Sequence, residues 1–227
     1  MPLRLISVIK NLFVKKEFRP YSIHFGVFRG LKMWLDLRNS FQVYLGLWER
    51  ETFKFIKKAA KICEWYIDIG AGKGEHVLFF LKESTAEPIF ALEPQVKETD
   101  ILYRNLLLNK NLDTNRVTII NKYVGTLKNH DFVTLDSLKI DRNKYGFIKI
   151  DVDGLEMDVL RSGSSLISNG KLSLLIETHS KLLEDECLIF LQRNGYTCRI
   201  IRNALWRLFI PERRPCSHNR WILAERP

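Results

Sequence analysis

The stretch WYIDIGAGKGE, residues 65–75, is the part of the chain that most narrows its fold and its chemistry. Residues 65–69 are mostly aromatic and β-branched, as in a buried strand, and the apolar run at residues 77–81 indicates a packed helix. Between them glycine recurs at every second position. Because glycine permits positive φ and lets a ligand approach the backbone closely, the stretch predicts a strand, a ligand-binding glycine loop and a helix.

The residues around this loop indicate the kind of ligand. A dinucleotide fingerprint would place its third glycine at position 75, where this chain has Glu75. Asp68 precedes the loop and Glu93 ends the next predicted strand. Two carboxylates there would repel a pyrophosphate but suit a ligand that carries hydroxyls and a positive charge. S-adenosylmethionine is such a ligand, and we expect Glu93 to accept hydrogen bonds from both of its ribose hydroxyls.

Composition excludes several classes of protein. The chain has 227 residues, of which 46% are apolar, so one α/β domain with an N-terminal extension is expected. No stretch approaches the roughly 20 apolar residues that span a bilayer. Lys10 interrupts the apolar start, so we expect no signal peptide and a cytoplasmic protein. The four cysteines are widely spaced and form no CxxC pair, so the sequence suggests neither a zinc ribbon nor a disulfide framework.

The N-terminal segment and the net charge suggest an anionic partner. Lys and Arg number 36 against 26 acidic residues, which gives a formal charge of +10. Within residues 3–16, apolar side chains recur at helical spacing beside basic ones, which predicts a basic amphipathic helix. This helix either lies on an anionic membrane or packs on the catalytic domain or a partner subunit. The charge alone does not choose between nucleic acid, phospholipid and phosphorylated sugar.

The order of predicted elements indicates the fold. Residues 22–28 and 31–37 resemble two strands of a hairpin joined across Arg29-Gly30, and a helical pattern from Ser40 to Lys61 is interrupted near Gly46. Glu49-Arg50 is interpreted as a solvated or capping pair. From residue 65 strands and helices alternate, which predicts a doubly wound, mostly parallel sheet. The predicted strands are residues 65–69, 88–92, 117–121, 147–150, 172–176, 196–201 and 221–224. We place the extension in residues 1–55 and the main domain in residues 56–227.

Polar residues follow four of these predicted strands. They are residues 68–74, Glu93-Pro94, residues 151–154 and residues 177–179. Ligands of an open parallel sheet bind beyond the carboxyl ends of its strands, near the point where strand order reverses. Four polar strand ends in register therefore predict one site at this edge of the sheet.

Four motifs resemble the FkbM family of S-adenosylmethionine-dependent methyltransferases. They are DIGAGKG at residues 68–74, ALEP at 91–94, TLDSL at 134–138 and, most specifically, FIKIDVDGLEMDVLRSG at 147–163. The resemblance covers roughly residue 45 to the end. It implies a Rossmann-like class I fold with seven strands, the last antiparallel, and methyl transfer to oxygen, often of a sugar or natural product. The chain departs from the family at Asp153, where glutamate is more usual, and in a shortened segment between Tyr123 and Thr134.

The resemblance and the strand ends together give the predicted site. The cofactor-binding residues are Asp68, Gly70, Ala71, Gly72, Gly74, Glu75, Glu93, Pro94, Val124 and Asp151. Val124 is carried over from the family as a backbone contact beside adenine. Asp151 and His179 are the predicted catalytic residues, because a hydroxyl acceptor needs a base and the ordinary pKa of histidine, about 6.5, suits one. We expect no metal. The alternative, a divalent cation held by Asp151 with Asp153, Glu156 and Glu177, is less favoured, since Glu156 suits the first turn of its helix.

The leading hypothesis is therefore an O-methyltransferase acting on a sugar, glycan, glycolipid or other small molecule. An RNA methyltransferase is the second enzymatic hypothesis, because the chain is basic, although no RNA-binding module is recognisable. A non-catalytic, membrane-associated protein that binds S-adenosylmethionine is the third. The sequence identifies neither the acceptor nor the oligomeric state.

Overall fold

The computed structural model describes residues 17–203 and 218–226. Its strands are β1 Phe18–Ser22, β2 Lys32–Asp36, β3 Trp65–Ile69, β4 Ile89–Leu92, β5 Val117–Ile120, β6 Tyr123–Val124, β7 Phe132–Val133, β8 Gly146–Ile150, β9 Leu172–Thr178, β10 Thr197–Ile201 and β11 Arg220–Glu225. Its α-helices are α1 Leu37–Tyr44, α2 Phe53–Ile62, α3 Glu75–Glu83, α4 Val96–Leu108, α5 Glu156–Ser162, α6 Ser164–Asn169 and α7 Lys181–Arg193. The helix predicted at residues 3–16 lies outside the described residues.

One seven-stranded sheet forms the centre of the structure, in the order β10-β11-β9-β8-β3-β4-β5. Neighbouring strands from β9 to β5 are parallel, whereas β11 runs antiparallel to both β9 and β10. This confirms the predicted doubly wound sheet with an antiparallel last strand. The chain moves from β3 outward to β4 and β5, then returns to β8 on the other side of β3. Strand order therefore reverses between β3 and β8.

Helices cover both faces of the sheet because alternate residues of the central strands point to opposite sides. On β3, Tyr66 faces the core beneath α2, α3 and α4, whereas Trp65 and Ile67 face the core beneath α5, α6 and α7. Asp68 shares the face of Tyr66. Asp68 at the end of β3 therefore points toward the layer formed by α2, α3 and α4.

The hairpin is real, but its first strand was predicted in the wrong place. The structure pairs Phe18–Ser22 with Lys32–Asp36, so residues 23–31 form the connection rather than a strand. Pro20 lies within β1 and pairs with Trp34 on an edge strand, where a residue without an N–H is tolerated. The helical pattern of residues 40–61 is interrupted as predicted, and Gly46 there has a φ of +65°.

Two asparagines, one in α4 and one at its C-cap, fix the hairpin to the main domain. Asn105 Oδ1 accepts a 2.7 Å hydrogen bond from the Trp34 backbone N–H, and Asn109 Oδ1 accepts one of 3.0 Å from that of Lys32. The Asn105 side chain also donates to the Lys73 carbonyl at 2.9 Å. Because Lys73 belongs to the glycine loop, the extension and that loop share one hydrogen-bonded support.

Among the described residues, no helix is long and apolar enough to cross a membrane.

Candidate active site

The glycine loop and the end of β8 are in direct contact at the point where strand order reverses. A Cβ atom on Gly70 would lie 1.9 Å from the carbonyl oxygen of Asp151, and the φ of Gly70 is +78°. Both facts require glycine. The N–H of Asp151 donates to the carbonyl of Ile69 at 2.9 Å, which continues the β3–β8 ladder to the edge of the site. The close contact at Gly70 and the continued ladder therefore place the glycine loop and Asp151 side by side.

Glu93 supports the glycine loop from β4. Its Oε2 accepts a 3.0 Å hydrogen bond from the Gly72 N–H, and its Oε1 accepts one of 2.9 Å from the Gln95 N–H. The residue is 5% exposed. Burial raises the pKa of Glu93, although the two backbone N–H groups oppose that shift. Each oxygen keeps a further lone pair, so the carboxylate can still accept hydrogen bonds from a pair of hydroxyls.

The remaining predicted cofactor residues surround this contact. Gly74 is the N-cap residue that precedes α3 and has a φ of +84°, and the Gly74 N–H donates to the Ala71 carbonyl at 2.9 Å. Glu75 is the first residue of α3, where burial raises its pKa, and Pro94 follows Glu93 directly. Val124 is buried in β6, next to the segment that Asp158 of α5 fixes by accepting hydrogen bonds from Thr126.

Lys149 lies between the carboxylates of Asp68 and Asp151 at the ends of β3 and β8. Its Nζ lies 3.2 Å from Asp151 Oδ2 and 3.9 Å from Asp68 Oδ1, and its side chain is 3% exposed. Burial lowers the pKa of Lys149, but Asp151, Glu49 and Asp68 outweigh it and raise that pKa above its usual range. Burial would raise the pKa of Asp151, yet Lys149 holds it at about 2. Burial raises the pKa of Asp68 to about 7, against the opposing effect of Lys149.

His179, which follows β9, meets four carboxylates. Its Nδ1 lies 2.5 Å from Glu156 Oε1, and Glu156 is fully buried. Its Nε2 lies 3.4 Å from Asp153 Oδ1, 3.8 Å from Glu177 Oε2 and 3.9 Å from Asp151 Oδ1. Burial acts to lower the pKa of His179, but the Glu156 hydrogen bond and the charges of Asp151 and Asp153 raise it overall. The sequence predicted that His179 and Asp151 share a site, and the structure places them together.

Glu177 completes this cluster from β9. The residue is 7% exposed, and its pKa is raised well above the ordinary value by burial and by the neighbouring charge of Asp151. One ligand atom each of Asp151, Glu177 and His179 lie within 4.8 Å of one another. These three residues could hold a metal ion, whereas the predicted alternative included Asp153 and Glu156 and omitted His179.

Glu49 is the site residue that the sequence interpretation placed wrongly. It is 3% exposed, and its Oε2 lies 3.4 Å from His76 Nε2. Burial raises the pKa of Glu49 to about 8, with Lys149 opposing the shift and Asp151 adding to it. Glu49 is therefore buried and not solvated. It occupies the N-cap position of the 3₁₀ helix Arg50–Thr52 with a left-handed φ of +50°, but its carboxylate makes no capping hydrogen bond.

Two further site residues were not singled out from the sequence. Lys149 carries a signal that could have identified it, because a lysine inside the apolar strand 146–150 must be paired when that strand is buried. His76 carries none. It stands in the apolar run of α3, and burial lowers its pKa well below the ordinary value, so it is neutral beside Glu49.

Comparison with known families supports the resemblance for two of the four motifs, at residues 134–138 and 147–163. A family profile described as the Methyltransferase FkbM domain matches residues 122–198. The matched segment contains Asp151, Glu156 and His179, and it excludes the glycine loop. No curated protein matches the sequence.

Solved methyltransferase structures resemble the fold. The methyltransferase FkbM of Methylobacillus flagellatus has a TM-score of 0.57 and 21% identity over 71% of this chain, which spans 43% of that protein's chain. TYW2 of M. jannaschii, solved in complex with AdoMet, has a TM-score of 0.53 and 16% identity, with 94% and 88% of the two chains covered. An S-adenosylmethionine-dependent O-methyltransferase of Thermotoga maritima has a TM-score of 0.50 and 15% identity, with 77% and 64% covered. At these identities the likeness concerns the fold.

The residues present fit S-adenosylmethionine. A Cβ on Gly72 would meet no atom within 4 Å, so the loop leaves space above its backbone. Glu93 offers a buried carboxylate directly beside that space. Asp151, whose pKa is held at about 2, places a carboxylate beside the loop, where a sulfonium or ammonium group would be favoured.

Proposed function

We propose that this chain, a member of the FkbM family of S-adenosylmethionine-dependent methyltransferases, methylates a hydroxyl of a sugar, glycan, glycolipid or other small molecule. The observation that carries the proposal is the position of His179. Its Nε2 lies within 3.9 Å of carboxylate oxygens of Asp151, Asp153 and Glu177, at the carboxyl ends of β8 and β9. This polar group adjoins the glycine loop, as the Gly70–Asp151 contact requires.

The cofactor half of the site is built from the loop and β4. S-adenosylmethionine, when bound, supplies an electrophilic methyl group on a sulfonium sulfur. Glu93 binds the two ribose hydroxyls, and the amides of residues 70–74 bind the amino-acid end. Asp68, buried at the end of β3, either orients the loop or binds the ammonium group of the cofactor through water. Holding an acceptor in line with the methyl group can contribute roughly 7 to 11 kcal/mol to lowering the barrier.

The acceptor half is built from the ends of β8 and β9. A hydroxyl is a weak nucleophile at neutral pH and must lose its proton, or be polarised, in the transition state. Asp151 and His179 activate it. Glu156 holds Nδ1 of the imidazole, so Nε2 is the atom that acts on the acceptor side. Glu156 thus selects the tautomer and the ring orientation.

The first experiment identifies the acceptor. Radiolabelled S-adenosylmethionine is incubated with the full chain and with separated small-molecule, glycan, lipid and RNA pools, with Glu93→Ala as the inactive control. We expect label in a glycan, glycolipid or small-molecule pool. Label confined to RNA, with binding that weakens steeply as salt increases, would establish the RNA methyltransferase instead. Tight cofactor binding without label in any pool would establish the non-catalytic alternative.

We also propose that residues 1–16 direct the protein to anionic lipid surfaces, which suits a glycolipid acceptor. The support is the pairing of apolar and basic side chains at helical spacing in that segment and the overall charge of +10. Removal of residues 1–16 should abolish binding to vesicles containing phosphatidylserine and leave methylation of a soluble acceptor unchanged. Equal vesicle binding by both forms would refute the proposal.

A further inference from the structure

We infer that Asp151, Glu177 and His179 bind one divalent metal cation, with Glu156 as the carboxylate that orients the histidine ligand. The site consists of two carboxylate oxygens and one imidazole nitrogen carried by β8, β9 and the residues that follow them. The binding of the cation does not depend on any assumption about methyl transfer, whereas its role in catalysis rests on the proposed function.

The distances suit a cation. His179 Nε2 lies 3.9 Å from Asp151 Oδ1 and 3.8 Å from Glu177 Oε2, and ligand atoms of all three residues lie within 4.8 Å of one another. Two ligand atoms each about 2.1 Å from one cation lie about 3.0 to 4.2 Å apart, depending on the angle between them. The two measured separations are too long for hydrogen bonds and fall within that interval.

The histidine is held as metal-bound histidines are. Such a residue almost always donates its second ring N–H to a carboxylate, carbonyl or water. Here Glu156 Oε1 lies 2.5 Å from His179 Nδ1, and Glu156 is completely buried in the first turn of α5. Glu156 Oε1 also accepts a 3.3 Å hydrogen bond from the Gly154 N–H, which fixes the carboxylate itself. Nε2 is therefore directed at Asp151 and Glu177, not at Glu156.

Charge favours occupation by a cation. Glu177 is 7% exposed and faces Asp151, and two carboxylates in such a position repel each other when both are ionised. Lys149 compensates Asp151 from the other side, because its Nζ lies 3.2 Å from Oδ2 and not Oδ1. Asp153, whose side chain is 67% exposed, lies 3.4 Å from His179 Nε2 on the side open to solvent. A cation among Asp151 Oδ1, Glu177 Oε2 and His179 Nε2 would be bound by two carboxylate oxygens and one imidazole nitrogen, with the Asp153 carboxylate close by.

The ligand set also indicates the class of metal. Mixed imidazole and carboxylate sites suit first-row divalent ions such as Mn²⁺, Fe²⁺ or Zn²⁺. Three protein ligands leave coordination positions of the metal open for the hydroxyl oxygen of the acceptor. Binding to the metal would lower the pKa of that hydroxyl. In the methyl transfer, the acceptor oxygen forms its bond to the methyl carbon as the carbon–sulfur bond breaks and a neutral thioether leaves. The acceptor proton is released to water, and His179, whose Nε2 would bind the cation, would then activate the acceptor through the metal and not as a base.

The test measures binding of Mn²⁺ alone to the full chain by calorimetry, after treatment with EDTA and its removal. The variants are Glu177→Gln, Asp151→Asn and His179→Ala, with the exposed Glu87→Gln as matched control, since Glu87 lies at the opposite end of β4. We expect one Mn²⁺ per chain in the wild type and the control, and a loss of affinity of at least about 10-fold in each site variant.

The isosteric Glu177→Gln keeps the test valid if His179→Ala fails to fold. Absence of wild-type binding at millimolar Mn²⁺, or unchanged affinity in Glu177→Gln, would overturn the inference. If Mn²⁺ binds at this site but methylation of the identified acceptor is unaffected by EDTA, the catalytic role of the cation is overturned and the proposed function stands. If Mn²⁺ binds and no pool accepts a methyl group, the cation site stands and the proposed function fails.

Discussion

The Nδ1 atom of His179 lies 2.5 Å from Oε1 of Glu156, a carboxylate that is completely buried. Glu156 begins α5, and His179 follows β9, 23 residues further along the chain. Because this contact decides which nitrogen faces the other carboxylates, Glu156 is a positioning residue for whatever His179 does.

Glu156→Gln tests this relationship. Glutamine retains the size of the side chain but loses the charge, so the imidazole is less firmly oriented. We expect kcat to fall about 10- to 100-fold, the usual effect of removing the partner of a functional histidine, while the Kd of the cofactor stays unchanged. Steady-state kinetics together with calorimetric titration of the cofactor measure both quantities. An equal loss of kcat and of cofactor affinity, or no loss of either, would contradict a positioning role. Glu87→Gln serves as the exposed control.

Glu93→Ala should weaken cofactor binding without unfolding the protein. The carboxylate accepts hydrogen bonds from the Gly72 and Gln95 N–H groups and is proposed to bind both ribose hydroxyls. Loss of two hydrogen bonds to a charged group costs about 3 kcal/mol or more, which corresponds to about 100-fold weaker binding. Calorimetry with S-adenosylmethionine and with S-adenosylhomocysteine measures it. Glu98→Gln, in the first turn of α4, is the control; a loss below 10-fold in Glu93→Ala would argue against the ribose contact.

Gly70→Ala and Gly72→Ala separate steric conflict from backbone strain within one loop. Both glycines have positive φ, +78° and +50°, so each alanine costs about 1 to 2 kcal/mol for the left-handed conformation. A Cβ at position 70 would also meet the Asp151 carbonyl at 1.9 Å, whereas one at position 72 meets nothing within 4 Å. Gly70→Ala should therefore lower the free energy of unfolding by at least about 1 kcal/mol more than Gly72→Ala does, as measured by urea unfolding. Equal free energies of unfolding would refute the close contact.

Glu49→Gln should change how stability depends on pH. The pKa of Glu49 is raised from 4.5 to about 8, so its protonated form favours the folded state. This stabilisation is complete below pH 4.5 and is lost as the pH rises to about 8. Glutamine mimics the protonated form at every pH. The Tm of the variant relative to the wild type should therefore rise between pH 5 and 8.5, by at least about 2 °C. Thermal melts across that pH interval measure this difference. A constant difference in Tm between the variant and the wild type would contradict the raised pKa of Glu49.

Several features of this site followed from the sequence because they depend on short-range order. A strand that ends in Asp68, a glycine loop and a helix occupy consecutive residues, and the alternation of strands and helices after them requires a parallel sheet. Parallel strands align their carboxyl ends, so Glu93, Asp151 and His179 were expected at one edge before any contact was known. The first hairpin strand was predicted at residues 22–28, whereas Phe18–Ser22 pairs with Lys32–Asp36, because pairing across the hairpin, and not the local apolar pattern, decides which residues are extended.

The sequence by itself therefore determined the doubly wound sheet, the glycine loop and the set of polar residues at the edge of the sheet. Only the tertiary structure decided which of these groups meet. The pairing of Glu156 with His179, the burial of Glu49 beside His76 and the position of Lys149 between Asp68 and Asp151 join residues of separate elements. Such contacts depend on strand register and helix packing to within an ångström or two. The pKa values depend in turn on those distances and on exclusion of water, neither of which a local pattern of residues specifies.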